Sequence, residues 1–304
     1  MAEIPLVVVN VQRGGPSTGQ PTKVEQGDLL TACFGSHGDA PKVVMAPSSI
    51  EDCFYMMITA RKIAEAFNLV GVVLTDASLA TAQQPIPRPS FSKDWLAPPI
   101  DQSPVPDGTN PYEWDKRTGL SRRIIPGQPG GMHCLTGLAH DEKSCVAYDA
   151  TVNQKGIKSR SLKLATLQKS LAPVELYGGD EGDLLIVGWG STRGAIEETV
   201  DRMRDTGHKV TSLHLRFIQP MPPGIKDALK RFDKVITVEN SWRDQPAGDT
   251  TDTDKMRHSN LAFMLRARFL VDIACCSEVM GRPISPSTIE TFVTNRLTDK
   301  LVGK

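Results

Sequence analysis
The sequence predicts an α/β protein with parallel sheet in two successive units. Three observations carry this. Short β-branched runs alternate with helical stretches before Gln83, and a second such series starts at Asp183. Between the two, ten of the 22 prolines fall in the span from Pro85 to Pro129, which excludes a regular helix or a central strand there. The first strand also runs directly into an arginine and a pair of glycines, Arg13-Gly14-Gly15.

In order, residues 5–11 read as a strand and 42–46 as a second. A helix follows from a capping-box start, Ser48 with Glu51, to about Phe67, and Val70 to Leu74 is a further strand. The proline-rich stretch reads as a connection lying on protein surface and anchored by Trp95, Tyr112 and Trp114. Residues 156–171 form a basic amphipathic helix. The second series has strands at 184–187, 209–215, 235–238 and 270–274. Its helices run from Gly188-Trp189-Gly190-Ser191-Thr192 to near Gly207, from Pro222 to Phe232, over 260–269, and from a Ser285 cap onward. The polar stretch Ser241 to His258 reads as a solvated loop.

A chain of 304 residues accommodates two domains. With 35 basic and 35 acidic residues the net charge is zero, which leaves no electrostatic footprint for nucleic acid. No apolar run approaches the roughly 18 residues of a membrane span. No secretory signal pattern is visible at the N-terminus, so a cytoplasmic placement is expected. The six cysteines form no C-x-x-C pair and read as buried or half-buried thiols, so no iron–sulfur cluster and no metal site is expected within this chain.

The most informative segment is Val7 to Thr22. A buried strand ends at Arg13, and Gly14 and Gly15 let the backbone turn sharply. Ligands bind at that end of open α/β sheets, and a guanidinium there suits a carboxylate or phosphate gripped by two parallel bonds. An arginine salt-bridged to the surface is the plain alternative. Ser17 and Thr18 either add hydroxyl bonds to the ligand or bond the turn's own backbone. His37 reads as a turn histidine donating to a carbonyl, in preference to a base, and His140-Asp141-Glu142 as a hydrogen-bonded turn, in preference to a metal site. Gly188 to Thr192 offers amides for an anion but reads first as an ordinary strand–helix turn.

The segment VxVQRGGPSTGxPTKxEQxDL resembles the signature of the alpha subunit of 2-oxoacid:ferredoxin oxidoreductases, of the 2-oxoglutarate type. The likeness continues through Phe34-Gly35-Ser36-His37-Gly38-Asp39-Ala40-Pro41, Thr136 to Glu142, Leu270-Val271-Asp272 and Gly281-Arg282-Pro283. The resemblance implies part of a thiamine diphosphate pyrimidine-type domain (1–82), a proline-rich connection (83–180) and a transketolase C-terminal-like α/β domain (181–304). It implies oxidative decarboxylation of a 2-oxoacid to an acyl-CoA, with coenzyme A as co-substrate and electrons passing to ferredoxin. A beta subunit would hold the diphosphate through Mg²⁺ and carry a [4Fe–4S] cluster. Arg13 matches the arginine that holds the substrate carboxylate, with Ser17 and Thr18 beside it. No catalytic residue is assigned.

The pattern is departed from at Gln20, where an apolar residue is usual, and at Ala139, where an acidic one is. The resemblance further implies, in full-length members, a Tyr-Pro-Ile-Thr-Pro motif and a glutamate that activates the cofactor's aminopyrimidine, and neither occurs in this sequence. The expectation is therefore a C-terminal fragment, an internally assigned start codon, or a split gene whose partner supplies the rest, with an unpaired apolar edge on the first sheet. Two other readings stay open: a non-catalytic scaffold that binds a beta subunit, and a 2-oxoacid dehydrogenase or transketolase-like subunit.

Overall fold
The computed structural model describes residues 1–244 and 256–298. The first sheet contains β1 (Leu6–Gln12), β2 (Val43–Met45) and β3 (Val70–Asp76), all parallel. Helices α1 (Leu29–Phe34), α2 (Ile50–Phe67) and α3 (Ala77–Thr81) connect or follow these strands. Alternation sorts the strand residues by face. Val43, Met45 and Val73 pack on Met56 and Ala60 of α2 and on Leu167 of α4 (Ala150–Ser170). Val44, Val72 and Leu74 face the other way, into a cluster that also holds Leu185, Val187, Trp189 and Leu265 of the second unit.

The second sheet has five strands: β4 (Leu176–Tyr177), β5 (Gly182–Trp189), β6 (Val210–Leu215), β8 (Phe232–Glu239) and β9 (Ala274–Ser277), in the order β4-β6-β5-β8-β9. Its four longer strands are parallel. Helices α5 (Arg193–Asp205) and α8 (Pro286–Thr298) cover one face, while α6 (Ile225–Leu229) and α7 (Asn260–Phe269) serve the other. A short strand β7 (Phe217–Gln219) leaves this unit to pair antiparallel with β2, so the two units share a sheet edge as well as a core.

Among the described residues, β1 has a neighbour only on its β3 side. Leu6, Val8, Val9 and Val11 are 40–53% exposed, so the expected apolar edge is present. It carries none of the charges, prolines or bulges that blunt natural edges.

Several boundaries differ from the sequence reading, each for a local reason. The cap of α2 is Ser49, which accepts the Asp52 amide at 3.0 Å; Asp52 in turn accepts the Ser48 amide and hydroxyl, so the box sits one residue later than Ser48 with Glu51. Helix α4 begins at residue 150, not 156, because the Asp149 carboxylate caps its first amides. Helix α6 is confined to 225–229, between Gly224 at φ +92° and the early start of β8. Leu270 adopts a left-handed φ of +55°, which ends α7 and delays β9 to residue 274. Strands β4 and β7 are too short to show a period in the sequence.

The connection holds one 3₁₀ turn, Lys93–Trp95, and lies against the body through the expected aromatics. Trp95 packs edge-on to Phe54 and Tyr55, and Tyr112 and Trp114 are buried. Cys134 and Cys145 are exposed, unlike the buried or half-buried state expected of all six thiols. Ser241 is fully buried, which corrects the solvated-loop reading at that end of 241–258; residues 245–255 of that stretch lie outside those described.

Candidate functional site at the facing sheet ends
The C-terminal ends of both parallel sheets face each other, and the segment 13–28 lies between them. Its entry is set by Gln12, a polar residue closing an apolar strand and only 1% exposed. Gln12 donates to the Thr75 carbonyl (3.2 Å) and accepts the Asp28 amide (3.1 Å). Asp28 also accepts Asn10 Nδ2 at 3.0 Å. Both ends of the segment are thereby tied to β1 and β3.

Within it, the Gln20 amide donates to the Gly14 carbonyl (2.7 Å), the Gly14 amide to the Lys23 carbonyl (3.0 Å) and the Gly15 amide to Glu25 Oε2 (2.7 Å). Gly19 has a φ of +46°, and a Cβ there would lie 2.0 Å from the Gly14 oxygen, so only glycine closes this turn. The Gln20 side chain lies across two glycines. A Cβ on Gly14 would meet its Cβ at 3.2 Å, and one on Gly281 would meet its Oε1 at 3.1 Å.

On this framework Arg13, Ser17 and Thr18 are exposed, and none makes a hydrogen bond or ion pair with any described residue. The surface salt bridge considered for Arg13 does not form, and neither hydroxyl bonds the turn's backbone. A guanidinium and two hydroxyls thus stand on a stiff turn with their capacity unspent.

The turn Gly190–Thr192, weighed as an anion site, is engaged by the first unit. Ser191 Oγ donates to Asp76 Oδ2 at 2.5 Å, and Thr192 Oγ1 to the Trp189 carbonyl at 2.9 Å. Burial pushes the Asp76 carboxyl above the usual range, against the pull of Ser191 and of the Ser78 and Leu79 amides that it caps.

His37 precedes β2, at the opposite end of the parallel sheet from Arg13, and makes none of the expected carbonyl bonds. His140 is 4% exposed, bonded to the carbonyls of Asp141 and Met1 and stacked near Tyr112 and Trp114. Asp141 Oδ1 accepts the Lys143 and Cys145 amides, the structural turn expected for that tripeptide.

Two residues escaped the sequence reading. Gln26 is fully buried between the units. Glu239, also fully buried, accepts Ser259 Oγ and the amides of Leu261 and Ala262, and so caps α7 from the end of β8. For Glu239 the available signal was a polar residue at the end of an apolar run, as at Gln12; Gln26, in the polar stretch Lys23-Val24-Glu25-Gln26, had none.

Residues 1–157 match the family profile described as pyruvate flavodoxin/ferredoxin oxidoreductase, thiamine diphosphate-binding, and residues 182–260 match pyruvate:ferredoxin oxidoreductase core domain II. The chain is 34% identical to 2-oxoglutarate oxidoreductase subunit KorA of Mycobacterium tuberculosis, over 99% of this chain and 44% of that protein. It is 33% identical to the alpha subunit of 2-oxoacid:ferredoxin oxidoreductase 1 of Aeropyrum pernix, over 80% of this chain and 39% of that one. The solved 2-oxoglutarate:ferredoxin oxidoreductase of Magnetococcus marinus, with 2-oxoglutarate, coenzyme A and succinyl-CoA bound, superposes with a TM-score of 0.84 at 31% identity, over 98% of this chain and 50% of that chain. The chain spans less than half the length of both curated relatives and half of the solved one. On its sequence, its two sheets and their arrangement, it belongs to the pyruvate and 2-oxoacid:ferredoxin oxidoreductase family and aligns with the alpha subunits.

Proposed function
We propose that this chain forms the substrate-gripping part of the alpha subunit of a 2-oxoacid:ferredoxin oxidoreductase acting on 2-oxoglutarate or a close relative. The observation that carries the reading is the unpartnered Arg13 on its braced turn at the end of β1. Arg13 presents two parallel donors to the substrate carboxylate, which orients the keto carbon toward the reaction centre. Ser17 and Thr18 donate to the remaining oxygens. The polar Gln20 beside Gly14 matches a substrate with a second polar end. The first unit, 1–82, carries this grip; the connection, 83–180, and the second unit, 181–304, frame it.

Thiamine diphosphate supplies the carbanion chemistry in this family. The residues here do not complete its site. The carboxylates at this sheet end are already engaged: Glu25 by the Gly15 amide, Asp28 by Asn10, and Asp76 by Ser191 and the Ser78 and Leu79 amides. Activation of the cofactor therefore falls to polypeptide beyond these residues. A beta subunit would bring the diphosphate with Mg²⁺ and a [4Fe–4S] cluster, pass electrons to ferredoxin, and complete the site for coenzyme A.

The test is 2-oxoacid-dependent dye or ferredoxin reduction by the assembled complex with Arg13→Lys and Arg13→Ala. Losing two charge-assisted bonds at about 1.5–3 kcal/mol each costs roughly 3 kcal/mol or more, or about 10²-fold in kcat/KM for Arg13→Ala. Arg13→Lys keeps the charge, loses the fork and recovers part of this. Near wild-type kcat/KM in Arg13→Ala for every 2-oxoacid tried would refute the assignment. Activity that never appears with a beta subunit, under conditions where both fold, would favour the scaffold reading.

A further inference from the structure
The second sheet runs β6-β5-β8-β9 through its parallel strands, so the connection after β5 leads through α5 to β6 on one side, while that after β8 leads through α7 to β9 on the other, and a crevice opens between the ends of β5 and β8. In open α/β sheets a ligand occupies that crevice. Here Gln26 of the first unit fills it. Gln26 Nε2 donates to the carbonyl of Trp189, the last residue of β5, at 3.0 Å. Its Oε1 accepts the amide of Asn240, just past β8, at 2.9 Å, and its own amide donates to the Asn240 carbonyl at 2.6 Å. Asn260 Nδ2, at the start of α7, donates to the Gln26 and Gly27 carbonyls at 3.2 and 3.3 Å. The socket is shaped for this side chain. Gly190 sits at φ +62°, and a Cβ there would stand 2.7 Å from Gln26 Nε2.

Gln26 also belongs to the segment that carries Arg13. Glu25 beside it holds the Gly15 amide, Asp28 two residues on returns to Gln12, and the Val24 amide donates to the Gly281 carbonyl at 3.3 Å. The Arg13 turn is thus braced by the first unit at its base and by the second unit through Gln26.

We infer that the switch-point crevice of the second unit is a socket and not a ligand site, and that Gln26 is the positioning residue through which this unit sets the Arg13 turn. The functional half of the inference rests on the reading proposed above; the mechanical half does not.

Amide hydrogen exchange of the full chain tests the mechanical half. In Gln26→Leu, the peptide covering 14–27 is expected to exchange about tenfold faster, with β5 and α5 amides unchanged. Unchanged exchange in 14–27 in the folded variant overturns the inference. If Gln26→Leu does not fold, Asn260→Ala removes only the two Nδ2 bonds and is expected to raise exchange in the same peptide about threefold; no rise there overturns it equally. Gly190→Ala approaches from the socket side and should loosen the same peptide.

In the assembled complex, Gln26→Leu is expected to raise KM for the 2-oxoacid about tenfold while kcat changes less than about threefold. A fall in kcat with KM unchanged, in a complex of normal composition, overturns the positioning role. Should Arg13→Ala prove fully active, the functional reading fails while the exchange result still decides whether Gln26 braces the turn.

Discussion
Glu239 offers the sharpest test of how the second unit is held together. Its carboxylate is fully buried, with no cation among its hydrogen-bond partners. Oε1 accepts Ser259 Oγ (2.5 Å) and the Ala262 amide (3.2 Å). Oε2 accepts the Leu261 amide (2.8 Å), Ser241 Oγ (3.3 Å) and Trp189 Nε1 (3.4 Å). Replacement by glutamine turns one oxygen into a donor that faces donors. At least one amide of the first turn of α7 then loses its acceptor. A buried unsatisfied donor costs about 1–3 kcal/mol, and losing a helix cap about 1 kcal/mol. Glu239→Gln is therefore expected to destabilise by about 2–4 kcal/mol, and Glu239→Ala, which strands every partner, by about 3–5 kcal/mol. At about 2–4 °C per kcal/mol, the glutamine variant should melt roughly 4–16 °C lower. Scanning calorimetry measures this directly, and fluorescence follows the same event because buried Trp189 is one of the partners. A Glu239→Gln melting point within about 2 °C of wild type would refute the reasoning, since it would mean that the network rearranges without strain.

Other outcomes follow from the same physics. Burial, with Arg193 nearby, pushes His214 down to about 3, against the opposing pull of Asp52 and the Gly190 backbone, and Arg216 adds to the fall. The folded state therefore keeps His214 neutral where the unfolded chain takes up a proton. The resulting stability is present above about pH 6.5 and is lost as pH falls toward 3, at up to about 1.4 kcal/mol per pH unit. His214→Asn should flatten that slope in denaturant titrations between pH 6.5 and 5, and an unchanged slope would assign the acid sensitivity to other groups. The open edge of β1 should drive self-association of the isolated chain, and Val9→Lys should reduce it in light scattering without lowering the melting point; Val9 is 48% exposed. Unchanged association in Val9→Lys would locate the sticky surface elsewhere.

Much of this molecule is legible from local chemistry. Val7 to Val11 and Val70 to Leu74 read as strands because runs of β-branched residues favour extended chain, but only the second is buried as read; Val7 to Val11 form an open edge with Val8, Val9 and Val11 exposed. The Arg13-Gly14-Gly15 turn was visible because strand end, guanidinium and glycines are adjacent in the chain, but neither Gly14 nor Gly15 takes a left-handed φ, and the position that requires glycine is Gly19. The ends of α4, α6 and β9 shifted because caps and left-handed residues such as Asp149, Gly224 and Leu270 act over one or two positions, below the resolution of a hydrophobic period.

What only the tertiary structure decided lies far apart in sequence. Gln26 meets Trp189 and Asn240, Asp76 meets Ser191, and Phe217 to Gln219 of the second unit closes the sheet of the first. None of these pairings has a local signature, because a polar residue in a loop looks alike whether it faces water or a socket across the domain boundary. Whether Arg13 is free or salt-bridged also depends on which carboxylates arrive beside it. Glu25, Asp28 and Asp76 all reach that sheet end, and each is taken by a backbone or side-chain donor that folding brings to it, so the guanidinium has no ion-pair partner among the described residues.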